Sequence, residues 1–287
     1  MTKEEIFRNI ASKTSGKDCN YLPGCCPDQY VGIVEKLKPE ENFHRENIFK
    51  GDTKNIEKDF SACEHVIILI LESPHTDEFD ENGNPIGPAN GITGMNIRNY
   101  LKFNEEDEKG IFKNIDDYHL ILINSIPFQC SLGVATQHFR DNVFKAAWDD
   151  DKIGFGFFEE RFKNLLDKLV GKNVVIVNAC TGAKGNSREP LCCKVCQSIV
   201  SVLENYCDEK DDKEYPVKFY HVHHPSTWNQ INRTRNEKFW ETDCVAVNPN
   251  FDDKSDEIEF NCKESKYWEK YLDTENLACS CFGKLEY

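Results

Sequence analysis

Four short apolar runs set the rhythm of the chain, each without alternation and each ending in polar or proline-bearing residues. The first covers residues 66–71 (VIILIL) and runs straight into Glu72, Ser73, Pro74 and His75, where Pro74 stops it from continuing as a strand. The others are residues 118–129 (YHLILINSIPFQ), 173–180 (NVVIVNAC) and 218–228 (KFYHVHHPSTW). Runs of this length and evenness read as strands buried on both faces, as in a parallel sheet covered by helices.

Helical patterns lie between and around them. Thr2 and Glu5 form a capping box for a first helix, and residues 28–38 carry a helical period with Tyr30, Val34 and Leu37 on one face. Further helices are predicted from the Gly91 turn to Leu101, over 157–169 with a stripe of Phe158, Phe162, Leu165, Leu166 and Leu169, and over 191–206. The pattern predicts an α/β protein, a three-layer α/β/α sandwich on a mainly parallel four-stranded central sheet. Residues 1–60 read as a helical N-terminal extension, 61–240 as the main domain and 241–287 as a C-terminal extension packed on it. The last carries an edge strand at 245–247 and an aromatic helix around Tyr267, Trp268 and Tyr271. Ligands of such sheets bind beyond the carboxyl ends of the strands, so the four polar strand ends are where a site is expected.

Composition narrows this picture. No stretch approaches the roughly 18 apolar residues of a membrane span, and MTKEEIFRNIASKT reads as a charged helix start rather than a signal peptide. A cytoplasmic protein with no membrane partner is expected. The 14 cysteines are scattered, so reduced thiols are favoured over disulfides. Cys19, Cys25 and Cys26, then Cys192, Cys193 and Cys196, then Cys279 and Cys281 are close enough in sequence to suggest metal ligation. The first group has no clean CxxC pair, and cysteines on a helix packed against a sheet, as in the second, are more often core, so neither metal nor cofactor is expected. The net charge of −15 argues against a broad polyanion-binding surface but leaves room for one local groove. Arg233, Arg235 and Lys238 stand against Glu237 alone in residues 221–240, and Lys184 and Arg188 mark the polar loop 181–190.

The strand ends offer a carboxylate (Glu72, with Asp77 near), an amide (Asn124), an imidazole (His224, with His221 and His223) and aromatics (Phe128, Trp228). That set suits hydrolysis through a cationic transition state, in which the carboxylate positions water and the imidazole steadies a leaving anion. Glycosidic cleavage has this charge distribution. One Asn can read a base edge, because it offers both a donor and an acceptor. The segment Ala89-Asn90-Gly91-Ile92-Thr93-Gly94 opens a helix whose backbone N–H groups suit an anion or a polar base edge.

Four ordered segments within residues 63–240 resemble the uracil-DNA glycosylase superfamily. Leu71-Glu72-Ser73-Pro74-His75 stands where that family has its water-activating motif, and Pro88-Ala89-Asn90-Gly91 looks like its Ala-His-Gly segment. Asn124 stands where an Asn reads the pyrimidine, and His224-Pro225-Ser226-Thr227-Trp228 resembles its His-Pro-Ser motif. The resemblance implies a fold of that type and a monofunctional, cofactor-free, base-flipping enzyme that cuts the bond between a pyrimidine and deoxyribose in DNA. His224 would then stabilise the departing base, Ser226 and Trp228 would meet DNA with Trp228 as an apolar wedge, and Arg233 and Arg235 would grip phosphates. Ser73 stands where the best-known branch has Asp, which moves the carboxylate role to Glu72 or Asp77. His75 replaces the Tyr that blocks 5-substituted bases, and Gly94 replaces the Phe that stacks on uracil. Both changes imply a larger base pocket, and the chain looks like a defence glycosylase acting on a bulky 5-modified cytosine of phage DNA, such as glucosylated hydroxymethylcytosine.

Plainer readings stand beside these. Asp77 sits in an acidic run, His221 and His223 alternate along a strand, and Phe128 and Trp228 are also good core residues. Three other functions fit the same residues: a uracil repair enzyme, a nucleic-acid-binding module of this fold without catalysis, and a hydrolase of free nucleosides or nucleotides.

Overall fold

The structure, a computed structural model, describes residues 1–16, 19–49, 56, 58–101, 117–135, 137–181, 191–209, 217–222, 224–228 and 246–247. Four parallel strands form its centre: β3 (His65–Leu71), β4 (His119–Asn124), β5 (Asn173–Asn178) and β6 (Val217–His221). They are the four apolar runs, each ending at or just before its polar residues. Val66, Ile68 and Ile70 of β3 enter one core cluster while Ile67, Leu69 and Leu71 enter the other, which is why the run shows no alternation.

The sheet is larger and more mixed than four parallel strands. Among the described residues it has seven strands, in the order β2-β1-β4-β3-β5-β6-β7. β1 (Gln29–Ile33) pairs antiparallel with β4, β2 (Glu46–Asn47) pairs antiparallel with β1, and β7 (Ala246–Val247) pairs antiparallel with β6. The edge strand expected at 245–247 is therefore present, but the helix expected over 28–38 is not. Tyr30 is buried in one cluster and Val31 in the other, as in a strand, and a 3-10 turn over Val34–Lys36 then brings Val34 and Leu37 inward. Gly32, at φ 114°, sits where the β1–β4 register shifts, so a bulge joined to a tight turn imitates a helical period. Residues 1–60 are thus more than a helical extension, since they supply two strands of the sheet.

Helices cover both faces. α1 (Lys3–Ser15) begins with the expected Thr2/Glu5 capping box. It packs with α3 (Asn142–Trp148), α4 (Phe155–Lys168) and α5 (Leu191–Glu209) on the face that holds Val66, Ile68 and Ile70. α2 (Ile92–Tyr100) and the turn ending in Trp228 cover the other face. The β3–β4 crossover runs over one face in one direction, and the β4–β5 crossover returns over the opposite face past β3. Right-handed connections dictate this arrangement. The connections leaving β3 and β5 therefore diverge, and the crevice between their carboxyl ends is the topological switch point. No helix among the described residues is long and apolar enough to cross a membrane.

Candidate active site

Glu72 is the first residue beyond β3, and its backbone is clamped from β4. Ser125 N–H donates to the Leu71 carbonyl (2.7 Å), while Ile126 N–H (3.0 Å) and Ser125 Oγ (2.6 Å) donate to the Glu72 carbonyl. On the other side Ala179 N–H donates to the Ile70 carbonyl (2.8 Å). The buried carboxyl is so held at the switch point. Burial pushes its pKa up, and Arg140 first, then Thr181, pull it back. Arg140 Nε lies 3.2 Å from Glu72 Oε1, and the guanidinium also grips Asp141 Oδ1 at 2.7 Å. Thr181 approaches without completing a bond to Oε2, which is buried and has no partner.

His224 precedes a 3-10 turn, Pro225–Thr227, whose Pro225 carbonyl accepts from Nδ2 of the buried Asn96 on α2 at 2.8 Å. Ser226 N–H donates to His224 Nδ1 (3.3 Å), and the Ser226 hydroxyl lies 2.9 Å from the same nitrogen. A ring nitrogen that accepts from a backbone N–H carries no proton, so the neutral ring has its proton on Nε2. Burial, and after it the charge of Arg140, lower the imidazole pKa to about 4. Arg140 therefore acts on both Glu72 and His224, residues far apart in sequence.

Asn124 ends β4 beside Leu71. Its carbonyl accepts from Arg161 Nη2 (2.8 Å), and Arg161 Nη1 is held by both oxygens of Asp28 at 2.6 Å. The side-chain amide is closed off from solvent, with neither atom partnered. Next to it is Glu78, whose Oε1 accepts from Ala89 N–H at 2.7 Å. Burial raises the Glu78 pKa to about 8 against the opposing effects of the Ala89 N–H, Arg45 and the Asn124 amide. No bond of good geometry joins the two side chains, because Glu78 Oε2 is also without a partner. Unpartnered polar atoms at three neighbouring side chains cost stability, and a ligand that supplied the bonds would recover it.

The remaining expected residues fall in different places. Asp77 is exposed, lies 3.5 Å from His75 Nδ1, and fills the space beside Gly91, so it stands outside the buried group. Asn90 Nδ2 donates to the Asp77 carbonyl (2.8 Å) and its Oδ1 receives Arg45 at 3.4 Å, which makes it a brace of the loop. His75 caps the turn Thr76–Glu78 with its ring partly exposed. Gly94 does not widen a pocket: a Cβ there would lie 1.8 Å from the Ala89 carbonyl oxygen, so its small size serves the packing of α2. Phe128 is fully buried and stacks on Phe7 at 5.2 Å rather than facing a base. Trp228 is 1% exposed in the core under α2, which removes it as a wedge in this conformation. Lys184, Arg188, Arg233 and Arg235 lie outside the described residues, as do Cys279 and Cys281.

Among the described residues no three His, Cys, Asp or Glu side chains are grouped to hold a metal. Cys25, Cys26, Cys130 and Cys180 are thiols whose pKa burial raises. A separate cavity of about 750 Å³ lies between α1 and α4, lined among others by Lys3, Cys25, Asp28, Phe157 and Arg161. Glu72, Asn124 and His224 do not border it, and Asp28 and Arg161 there already satisfy each other's charge.

Sequence reasoning missed Arg140 and Glu78. Arg140 sits in a stretch, QHFRD, with no recognisable motif, and Glu78 is one of several acids between Asp77 and Glu81 that all look solvated. No family model, no curated protein and no solved structure matches the chain.

Proposed function

We propose that the protein is a monofunctional DNA glycosylase that draws a pyrimidine out of DNA and hydrolyses its N-glycosidic bond, leaving an abasic site. The observation that carries this reading is the convergence of Glu72 and His224 on Arg140. Breaking the bond leaves positive charge on the sugar and negative charge on the base. Glu72 steadies the first and positions water through Oε2. His224 meets the second as a neutral Nε2–H donor, which keeps its proton throughout the pH range in which Glu72 is ionised. Asn124 reads the base edge, and Arg140 opposes the upward push of burial on the Glu72 carboxyl.

The substrate we favour is a bulky 5-modified cytosine of phage DNA, which would make the enzyme a defence protein. One feature supports a cytosine and one a 5-substituent. The neutral Glu78 carboxyl beside Asn124 offers an O–H donor, which suits the ring N3 of cytosine and not the N3–H of uracil, and His75 leaves the base's 5-side less confined than a Tyr would. One observation favours the binding-only reading: the Glu72–Arg140 ion pair makes the carboxylate a weaker base.

Abasic-site formation on oligonucleotides carrying uracil, a thymine mismatch, hydroxymethylcytosine or its glucosylated forms tests these readings. The expected result is cleavage of the bulky modified cytosines by the parent and a loss of about a thousandfold or more in Glu72→Gln. Cleavage of uracil alone would make this a repair enzyme. Binding without abasic sites on any member would leave only the binding module.

A further inference from the structure

We propose that Val134 is the side chain that enters the base stack of duplex DNA when the target nucleotide leaves it. The inference rests on the glycosylase reading and gives the wedge role to a loop other than the His224 turn, whose Trp228 is buried.

Residues 130–135 leave from beside Glu72, and Arg140 lies against the same carboxylate. The Cys130 thiol lies near enough to feel the Glu72 charge, and Arg140 makes a 3.2 Å contact to Glu72. Beyond Cys130 the backbone takes positive φ at Gly133 (76°) and Ala135 (42°), on either side of the exposed Val134. The near side is braced. Gln129 Oε1 accepts from Leu22 N–H (2.7 Å), Gln129 Nε2 donates to the Ser131 carbonyl (3.1 Å), and Gly133 N–H donates to Ser131 Oγ (3.3 Å). Gly133 also packs against His75, where a Cβ would come within 2.6 Å of Nε2.

At 61% exposure, Val134 is the most exposed large apolar side chain among the described residues apart from Met1. A lone exposed apolar residue is ordinary on a protein surface. Here it stands at the end of a braced segment that leaves from beside the proposed reacting carboxylate. Removing a base leaves a stack with one gap, and proteins that open duplexes fill such gaps with apolar side chains, offsetting a few kcal/mol of unstacking. A β-branched side chain gives up little rotamer freedom on entering the gap.

The test is the single-turnover rate of abasic-site formation by the parent, Val134→Ala and Val134→Leu, on the panel's best-cleaved base in duplex and in single-stranded oligonucleotides. Val134→Ala is expected to lose about tenfold on duplex and nothing on single strands, while Val134→Leu keeps the parent's duplex-to-single-strand ratio. An active parent with an unchanged ratio in Val134→Ala overturns the wedge and leaves the glycosylase standing. A parent inactive on both forms overturns the glycosylase reading and the wedge with it. Because the side chain is exposed, the alanine variant keeps the fold, which its melting temperature verifies.

Discussion

Two titratable side chains near the strand ends are shifted in opposite senses, and both shifts bear on function. His224 stays neutral down to about pH 4, so in the proposed reaction it would serve as a hydrogen-bond donor rather than as a proton source. Glu78 remains protonated up to about pH 8. Its folded pKa lies above the 4.5 of an unperturbed Glu, so the stability it contributes is fully present below pH 4.5 and is lost as pH rises through 8. The melting temperature of the parent should therefore fall between pH 5 and pH 8.5, and Glu78→Gln should flatten this decline, raising the value at the alkaline end by about 5 °C or more. Gln keeps an acceptor for Ala89 N–H, so a parallel decline in both proteins would mean that Glu78 is ionised in the fold. At this scale the sequence revealed residues that stand directly after apolar runs, Glu72 and Asn124, and the His224 turn with its Pro-Ser signature. It concealed Glu78, because the helical turn that buries one acid of a run and exposes its neighbour Asp77 leaves no mark in composition. It also misplaced Phe128, since a ring that stacks on Phe7 and a ring that stacks on a base call for the same residue type.

Three elements meet at the Asp28–Arg161 pair, which ties the start of β1 and the middle of α4 to the end of β4. Arg161 donates to the carbonyls of Asn124 and Ser125 while Asp28 holds its other amino group, so one buried ion pair fixes the turn that clamps Glu72. Removing one partner leaves a buried charge without compensation, at a cost of about 3–5 kcal/mol. Arg161→Met should therefore lower the urea midpoint strongly, and Asp28→Leu with Arg161→Met should regain part of the loss, because no lone carboxylate remains. A double variant no more stable than Arg161→Met would show that the carbonyl bonds, and not the charge pairing, dominate. The reading of elements was most secure where both faces of a strand are buried, as in β3, β4 and β5. It failed at residues 28–38, where Gly32 allows a bulge and the following 3-10 turn reproduces helical spacing. Nor did any local pattern reveal that β1 borders β4, since antiparallel pairing across so long a separation is decided by the sheet edge it fills.

The molecule as a whole carries a net charge of −15, which repels nucleic acid at long range. The alternation of apolar runs and helical stretches made the parallel centre and its carboxyl-end crevice legible, but charge enters only as a sum in such a reading. A sum of this size has a consequence for the proposed partner. Any binding to DNA must come from a few local phosphate contacts, since each neutralised phosphate on a duplex steepens the dependence of log K on log salt by about 0.9. With two to four such contacts, Glu72→Gln, which binds without turnover, should show a slope of about −2 to −4 by fluorescence anisotropy on duplex DNA. Arg233 and Arg235 belong to the least acidic stretch around the His224 motif, and replacing both with Ala should reduce the slope by about 2 in magnitude. A slope near zero in the parent background would mean that no phosphate is gripped. The hydrolase of free nucleosides would then be the better account of Glu72 and His224, because such a substrate asks for the same bond cleavage without a polymer to hold.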